Sequence, residues 1–179
     1  MTMKATQLLR QYRYGIIDFR GCSLHSANLQ ATHLARVNLT QSDLSNAKLS
    51  DAELSGACLR EANLTNAELV NANLIGANLS EINLIGADLD SADLSGADLS
   101  GADLRCASLH GANLSNVNLT DADLSGADLT AADLTHANLS GADISAAVTT
   151  NTVIEDVNWG KSGRVPEYTS HNWVTWSGS

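Results

Sequence analysis

The chain has 179 residues, twenty acidic and ten basic side chains, a formal charge of −10, 44% apolar residues and only 4% aromatics. That length suits one domain and is too short for two ordinary ones. The acidic balance excludes a basic nucleic-acid-binding surface, and no apolar run reaches the length of a membrane span, so neither direct nucleic-acid binding nor a membrane role is expected. The first twenty residues lack the apolar core of a secretion signal. Three cysteines, an odd number, argue against a disulfide framework and fit a reducing cytoplasm, where the protein is expected to stay.

The first predicted element is a short amphipathic helix within residues 1–15. Over MKATQLLRQYRYG, helical spacing puts Leu8, Leu9 and Tyr12 on one side, and Gly15 is the stop. It is expected to cap the start of the repeats that follow.

From Leu24 to Leu139 every fifth residue is leucine, 24 in succession, with Phe19 and Ile144 extending the register. Two residues before this centre, Ala fills 19 of 25 places, so the interior is built from Leu and Ala. Its exceptions are Cys22, Thr32, Val37, Ser42, Ile82 and Val117, of which Ile82 and Val117 are expected to mark slightly wider coils. One residue before the centre, Asp or Asn fills 18 of 25 places, and Ser or Thr is usual just after it. Two after the centre, Gly, Asn or Asp fills 15 of 25 places. A period of five suits neither a helix nor a plain strand, because the leucines would wander over every face or alternate between two. The chain must turn once per repeat. Gly, Asn and Asp are the residues that tolerate the positive φ of a type II turn at its third position.

Runs such as ADLSG, ANLIG and ANLSN resemble the pentapeptide repeat family over about residues 16–147. That resemblance implies an all-β fold, a right-handed quadrilateral β-helix with four repeats per coil and Leu and Ala pointing inward. Six to seven coils at ~4.8 Å each give a rod roughly 30–34 Å long. The repeats are expected to run over 16–159, with a degenerate last coil from about 148, where Thr149, Ile154 and Trp159 take the centre. Residues 160–179 are expected to form a separate tail or cap. Its Trp173 and Trp176 are expected to bury against the open end of the rod, a second copy or a partner.

No catalytic constellation emerges. His25, His33, His110 and His136 fall in four different columns when positions are taken modulo twenty, and Cys22, Cys58 and Cys106 have no zinc spacing with them. No phosphate loop, dinucleotide fingerprint or calcium-roll motif is present. The chain is therefore expected to be no enzyme and to use no cofactor or metal.

Charge is uneven. Residues 1–60 carry a net +3, and residues 61–160 carry −14 with Arg105 as their single basic side chain. Asp103, Asp123 and Asp143 are expected to stack on one face, Asp88 and Asp128 on a second, Asp93 and Asp133 on a third. Asp or Asn at that place also suits a bond to the backbone of the turn. Val70, Ile75 and Ile85 take outward places where Ser or Thr is usual, and are a candidate apolar contact. The expected role is a protein-interaction scaffold, monomeric or homodimeric, using the acids, that apolar trio or the Trp tail. The alternatives are a structural rod in a larger assembly and a DNA mimic. The resemblance implies the latter, because some family members bind DNA gyrase in place of DNA.

Overall fold

Among the described residues, every bridge joins a residue to the one twenty positions on, always parallel: Asp18 to Asn38, Ser23 to Asp43, Asn28 to Lys48, His33 to Glu53, and so on through Asn138 to Asn158. Four bridges complete a circuit, so the backbone is a four-sided solenoid whose faces begin at Asp18, Ser23, Asn28 and His33 and are numbered first to fourth. The computed structural model describes residues 3–160. Circuits begin at residues 18, 38, 58, 78, 98, 118 and 138, seven coils in all. Each side contributes a single bridging residue, so the sides are shorter than ordinary strands.

The backbone donors of one repeat explain its five positions. Leu24 N–H reaches forward to the Asp43 carbonyl at 2.7 Å, and Ser26 N–H to the Ser45 carbonyl at 2.8 Å. Asp43 N–H reaches back to the Cys22 carbonyl at 2.9 Å. Ala27 N–H closes the corner on the Leu24 carbonyl, also at 2.9 Å. Those four recur along the rod. The fifth donor, just after the leucine, faces the side chain of the residue before it: Ser45 N–H donates to Asp43 Oδ1 at 3.1 Å. A side-chain oxygen that can reach back to this N–H suits the position, as Asp and Asn do with little chain to order and Glu53 does as well, and Asp and Asn dominate it.

The corner also explains the small inward residue. With Ala in that slot, its N–H lies 2.9–3.1 Å from the leucine carbonyl. With Cys22, Thr32, Val37, Ile82, Val117 or Thr152 the distance is 3.2–3.4 Å. A larger residue in this slot coincides with a longer corner bond, Ile82 and Val117 included. Ser42 is fully buried, and its hydroxyl donates to the Leu39 carbonyl at 2.6 Å, so its polarity is satisfied. The leucines from Leu24 to Leu134 are all at most 1% exposed and form one continuous core.

Every fifth residue from Gly21 to Asp156 has φ between +52° and +78°, while the residue before it stays negative, as in a type II turn. Nineteen of these 28 residues are not glycine, among them Ala31, Arg36, Glu61 and Ala131. Local preference alone does not place them there; the corner bond imposes this φ, and from Gly21 to His136 a ladder bond from the corner N–H to the next coil holds it.

At the start, helix α1 (Ala5–Arg13) buries Leu8 completely and packs Ala5, Leu9 and Tyr12 against the core. Its end is turned by Gly15 at φ +83°. Met3 N–H donates to the Ser23 carbonyl at 2.9 Å, and the Tyr12 hydroxyl to the Ala35 carbonyl at 2.8 Å. At the far end the ladder continues through Val148, Val153 and Asn158. Thr149 and Thr152 are buried there, and the Thr152 hydroxyl donates to the Leu129 carbonyl at 2.7 Å. Ile154, Val157 and Trp159 are half-buried against the core.

Left-handed backbone is unfavourable for any residue with a Cβ. Ala131→Gly should therefore stabilise the rod by about 0.5–1 kcal/mol and Gly96→Ala, where no atom crowds the new Cβ, should destabilise it by about 1 kcal/mol. Thermal melts followed by circular dichroism read both.

Candidate interaction surfaces

The second face is the acidic one. Asp103, Asp123 and Asp143 bridge in succession, so they stand one coil apart without interruption. Each accepts a backbone N–H two residues on, from Arg105 at 3.3 Å, Ser125 at 2.9 Å and Ser145 at 2.8 Å. Arg105 folds back from the corner onto this column. Its Nε donates to Asp103 Oδ1 at 2.8 Å and its Nη2 to Asp103 Oδ2 at 2.7 Å, with Nε 3.8 Å from Asp123 Oδ2. The single cation of the acidic body thus sits on Asp103 and beside Asp123.

The other expected acids share faces without touching. Ser108 bridges between Asp88 and Asp128 on the third face, and Asn113 between Asp93 and Asp133 on the fourth. All four accept the N–H of the residue two positions on, from Asp90, Thr130, Ser95 and Thr135. These side chains are half-buried, whereas Asp143 is exposed.

Val70, Ile75 and Ile85 occupy three different corners. In the twenty-residue register Ile75 lies between Ser55 and Ser95, Val70 between Ser50 and Asp90, and Ile85 between Thr65 and Arg105. Ile75 is 43% exposed and the other two are half-buried. No corner stacks two of them, so they form no continuous apolar column. Trp173 and Trp176 lie outside the described residues.

Sequence reasoning missed a second acidic column at the corner just ahead of the second face. Glu61, Glu81 and Asp121 stand in one register, with Gln41 Nε2 donating to Glu61 Oε2 at 2.7 Å. Arg60 pairs with Glu61 and lies 3.7 Å from Glu81. Taking the third corner position modulo twenty would have found it. A further surprise is an amide ladder on the first face, where Asn158 Nδ2 donates to Asn138 Oδ1 at 3.0 Å and Asn118 Nδ2 to Asp98 Oδ1 at 2.9 Å. Among the described residues, no group of His, Cys, Asp and Glu is arranged to hold a metal ion, and no helix is long and apolar enough to cross a membrane.

Several carboxyls are held below the ordinary range by the bonds they accept. Arg105 does this to Asp103, the Ser45 hydroxyl to Asp43, the Ser55 hydroxyl to Glu53, the Thr130 hydroxyl to Asp128 and the Ser145 N–H to Asp143. A lowered folded-state value contributes stability above the unfolded value and loses it as pH falls through the folded one. The melting temperature should hold level from neutral pH to about pH 5 and fall steadily below about pH 4. A pH series of thermal melts checks this. In the same assay Asp123→Asn, which keeps the acceptor, should shift stability by less than about 0.5 kcal/mol. Asp123→Ala, which strips it from the Ser125 N–H, should cost about 1 kcal/mol.

The family described as pentapeptide repeats matches in eight copies, over residues 17–41, 27–66, 67–105 and 107–146. Among solved structures, a trypsin-treated variant of QnrB1, a plasmid-mediated fluoroquinolone resistance protein, is similar over 88% of this chain and 81% of its own, at 19% identity and a TM-score of 0.60. The pentapeptide repeat protein alr5209 from Nostoc PCC 7120 is 31% identical over 72% of this chain and 82% of its own, with a TM-score of 0.38. HetL, a pentapeptide repeat protein involved in heterocyst differentiation regulation in Nostoc sp. strain PCC 7120, is 29% identical over 87% of this chain and 94% of its own, with a TM-score of 0.28. No curated protein sequence matches the chain.

Proposed function

Because this chain belongs to the pentapeptide repeat family, we propose that it acts without catalysis, as a rigid right-handed quadrilateral β-helix that presents its second face to a protein partner. One observation carries the reading. Between residues 61 and 160, eight of the positions that must supply the acceptor hold Asp and eight hold Asn. All sixteen make the same bond, from Asp88 and Asn83 through Asp123 and Asn138. Asn serves the fold as well as Asp does, so the negative charge is surplus to what the turn needs. On the second face it is concentrated against the repulsion of stacked like charges, which suits a surface read by a basic partner.

A second reading is that the rod mimics DNA and inhibits a topoisomerase. Five coils span ~24 Å, a length of duplex that carries about 14 phosphate charges, and residues 61–160 carry a net −14. Arg105, seated on Asp103, works against it.

The test compares the intact chain with the triple variant Asp103→Asn, Asp123→Asn and Asp143→Asn, in affinity capture from native lysate with salt-gradient elution. The variant should keep the parent's melting behaviour and lose a partner that the parent releases at moderate salt. A partner retained equally by both would remove the second face from the interaction. A topoisomerase among the salt-released proteins, inhibited in a supercoiling assay by the parent alone, would select the mimic.

A further inference from the structure

The open edge of the first coil is capped at the Ser23 carbonyl of the second face and left empty on the third and fourth, at Asn28 and His33; the fourth is the one with a groove beside it. In later coils, carbonyls corresponding to those of Ser23 and Ala35 accept backbone N–H groups from the coil before, as Asp43 does from Leu24 and Ser55 from Arg36. In the first coil, Met3 N–H and the Tyr12 hydroxyl stand in for that missing coil. On the fourth face nothing does. One coil on, Glu53 N–H donates to the Thr32 carbonyl at 2.9 Å and the Glu53 carbonyl accepts Leu34 N–H at 2.8 Å. The matching N–H and carbonyl of His33 have no partner in the described chain, and neither has the Gln30 carbonyl, although its counterpart at Ser50 accepts Ala31 N–H.

A groove of about 530 Å³ lies over this edge, walled by Leu9, Tyr12 and Arg13 of α1 and floored by Ala31, Thr32 and His33. That volume is within the range of built ligand sites. Leu9 and Tyr12 offer an apolar wall. Arg13 is exposed and makes no ion pair with the described residues. The carboxylate facing His33 from the next coil, Glu53, is already taken by Ser55 N–H and by Asn73 Nδ2 at 2.9 Å. The end of the rod that holds the groove is its basic end, since residues 1–60 carry a net +3.

We propose that this groove takes an extended acidic peptide segment of a protein partner, added to the fourth face as the strand that precedes the first coil. The peptide backbone accepts His33 N–H and donates to the His33 and Gln30 carbonyls, as one coil pairs with the next. An apolar side chain lies on Leu9 and Tyr12, and a carboxylate meets the Arg13 guanidinium. Met3 on the second face is the internal precedent, a stretch of extended chain already added to the same edge.

This rests on the protein-interaction reading and is tested apart from it. The probe is a fluorescein-labelled, acetylated and amidated Asp-Val-Asp-Val-Asp peptide, titrated into the full chain by anisotropy. Amide resonances of the isotope-labelled chain are followed in parallel. Binding should saturate and move the Leu9, Ala31 and His33 amides. It should weaken tenfold or more with Arg13→Gln and vanish when alternate peptide amides are N-methylated. No saturation up to on the order of 1 mM, equal binding of the N-methylated peptide, or indifference to Arg13→Gln would each overturn it. The Asp103, Asp123 and Asp143 variant leaves the groove intact. A probe that fails while acid-dependent capture succeeds therefore rejects the groove alone, and a probe that binds while capture fails rejects the second face alone.

Discussion

One hydrogen bond, closed every five residues from the N–H of a small inward residue to the carbonyl of the leucine three before it, sets the geometry of the whole rod. It turns the chain at a corner, which forces one residue in five into left-handed backbone. Four such corners bring each residue over the one twenty places on, and only then can the ladder between coils form. The ladder in turn holds residues such as Arg36 and Glu61 in a conformation they would not choose alone. Bulk at the inward slot is felt first in this bond, which lengthens beside Val117 and Thr152. Leucine fills the interior once the corner is made; it does not make the corner.

This hierarchy accounts for what could be read from the sequence. The period, the inward Leu and Ala and the helix carrying Leu8 are one-dimensional facts, because a solenoid converts sequence spacing directly into spatial register. For the same reason Asp103, Asp123 and Asp143 were legible as a column. The Arg105 clamp was not, since it depends on which way a long side chain folds from its corner. Nor was the open edge at His33, which follows from where α1 comes to rest over the first coil. The positive φ at Ala31 and Ala131 was equally hidden, because the residue type argues against it and the corner bond and the stacked coils impose it.

The donor count of each repeat separates two kinds of acid. Carboxylates just before a leucine, such as Asp88 and Asp133, are tied to the turn and half-buried. Their charge reaches the surface, but their direction is fixed by the bond they accept. Acids at the corners carry no such duty. Glu81 and Asp121 stand where the turn needs only a tolerated φ, and their carboxylates project from the corner ahead of the second face.

On the proposed reading, a partner approaching the second face would meet a fixed row and a free row side by side. The fixed row, Asp103, Asp123 and Asp143, sets charge at the coil spacing of ~4.8 Å, and its geometry is common to any rod of this repeat. The free row, Glu61, Glu81 and Asp121, interrupted by Gly101, is not required by the turn. Discrimination between partners depends on differences in affinity, and uniform spacing supplies none. Under the proposed reading, the corner row, with Arg60 as its local cation, is where specificity would be written, while the face row, with Arg105 seated on it, would supply attraction at longer range. The sides have spent nearly all their backbone donors and acceptors on stacking and can be read only through side chains. Among the described residues of the first coil, Asn28 and His33 have backbone still on offer, and the two proposed surfaces would thus differ in their chemistry of recognition.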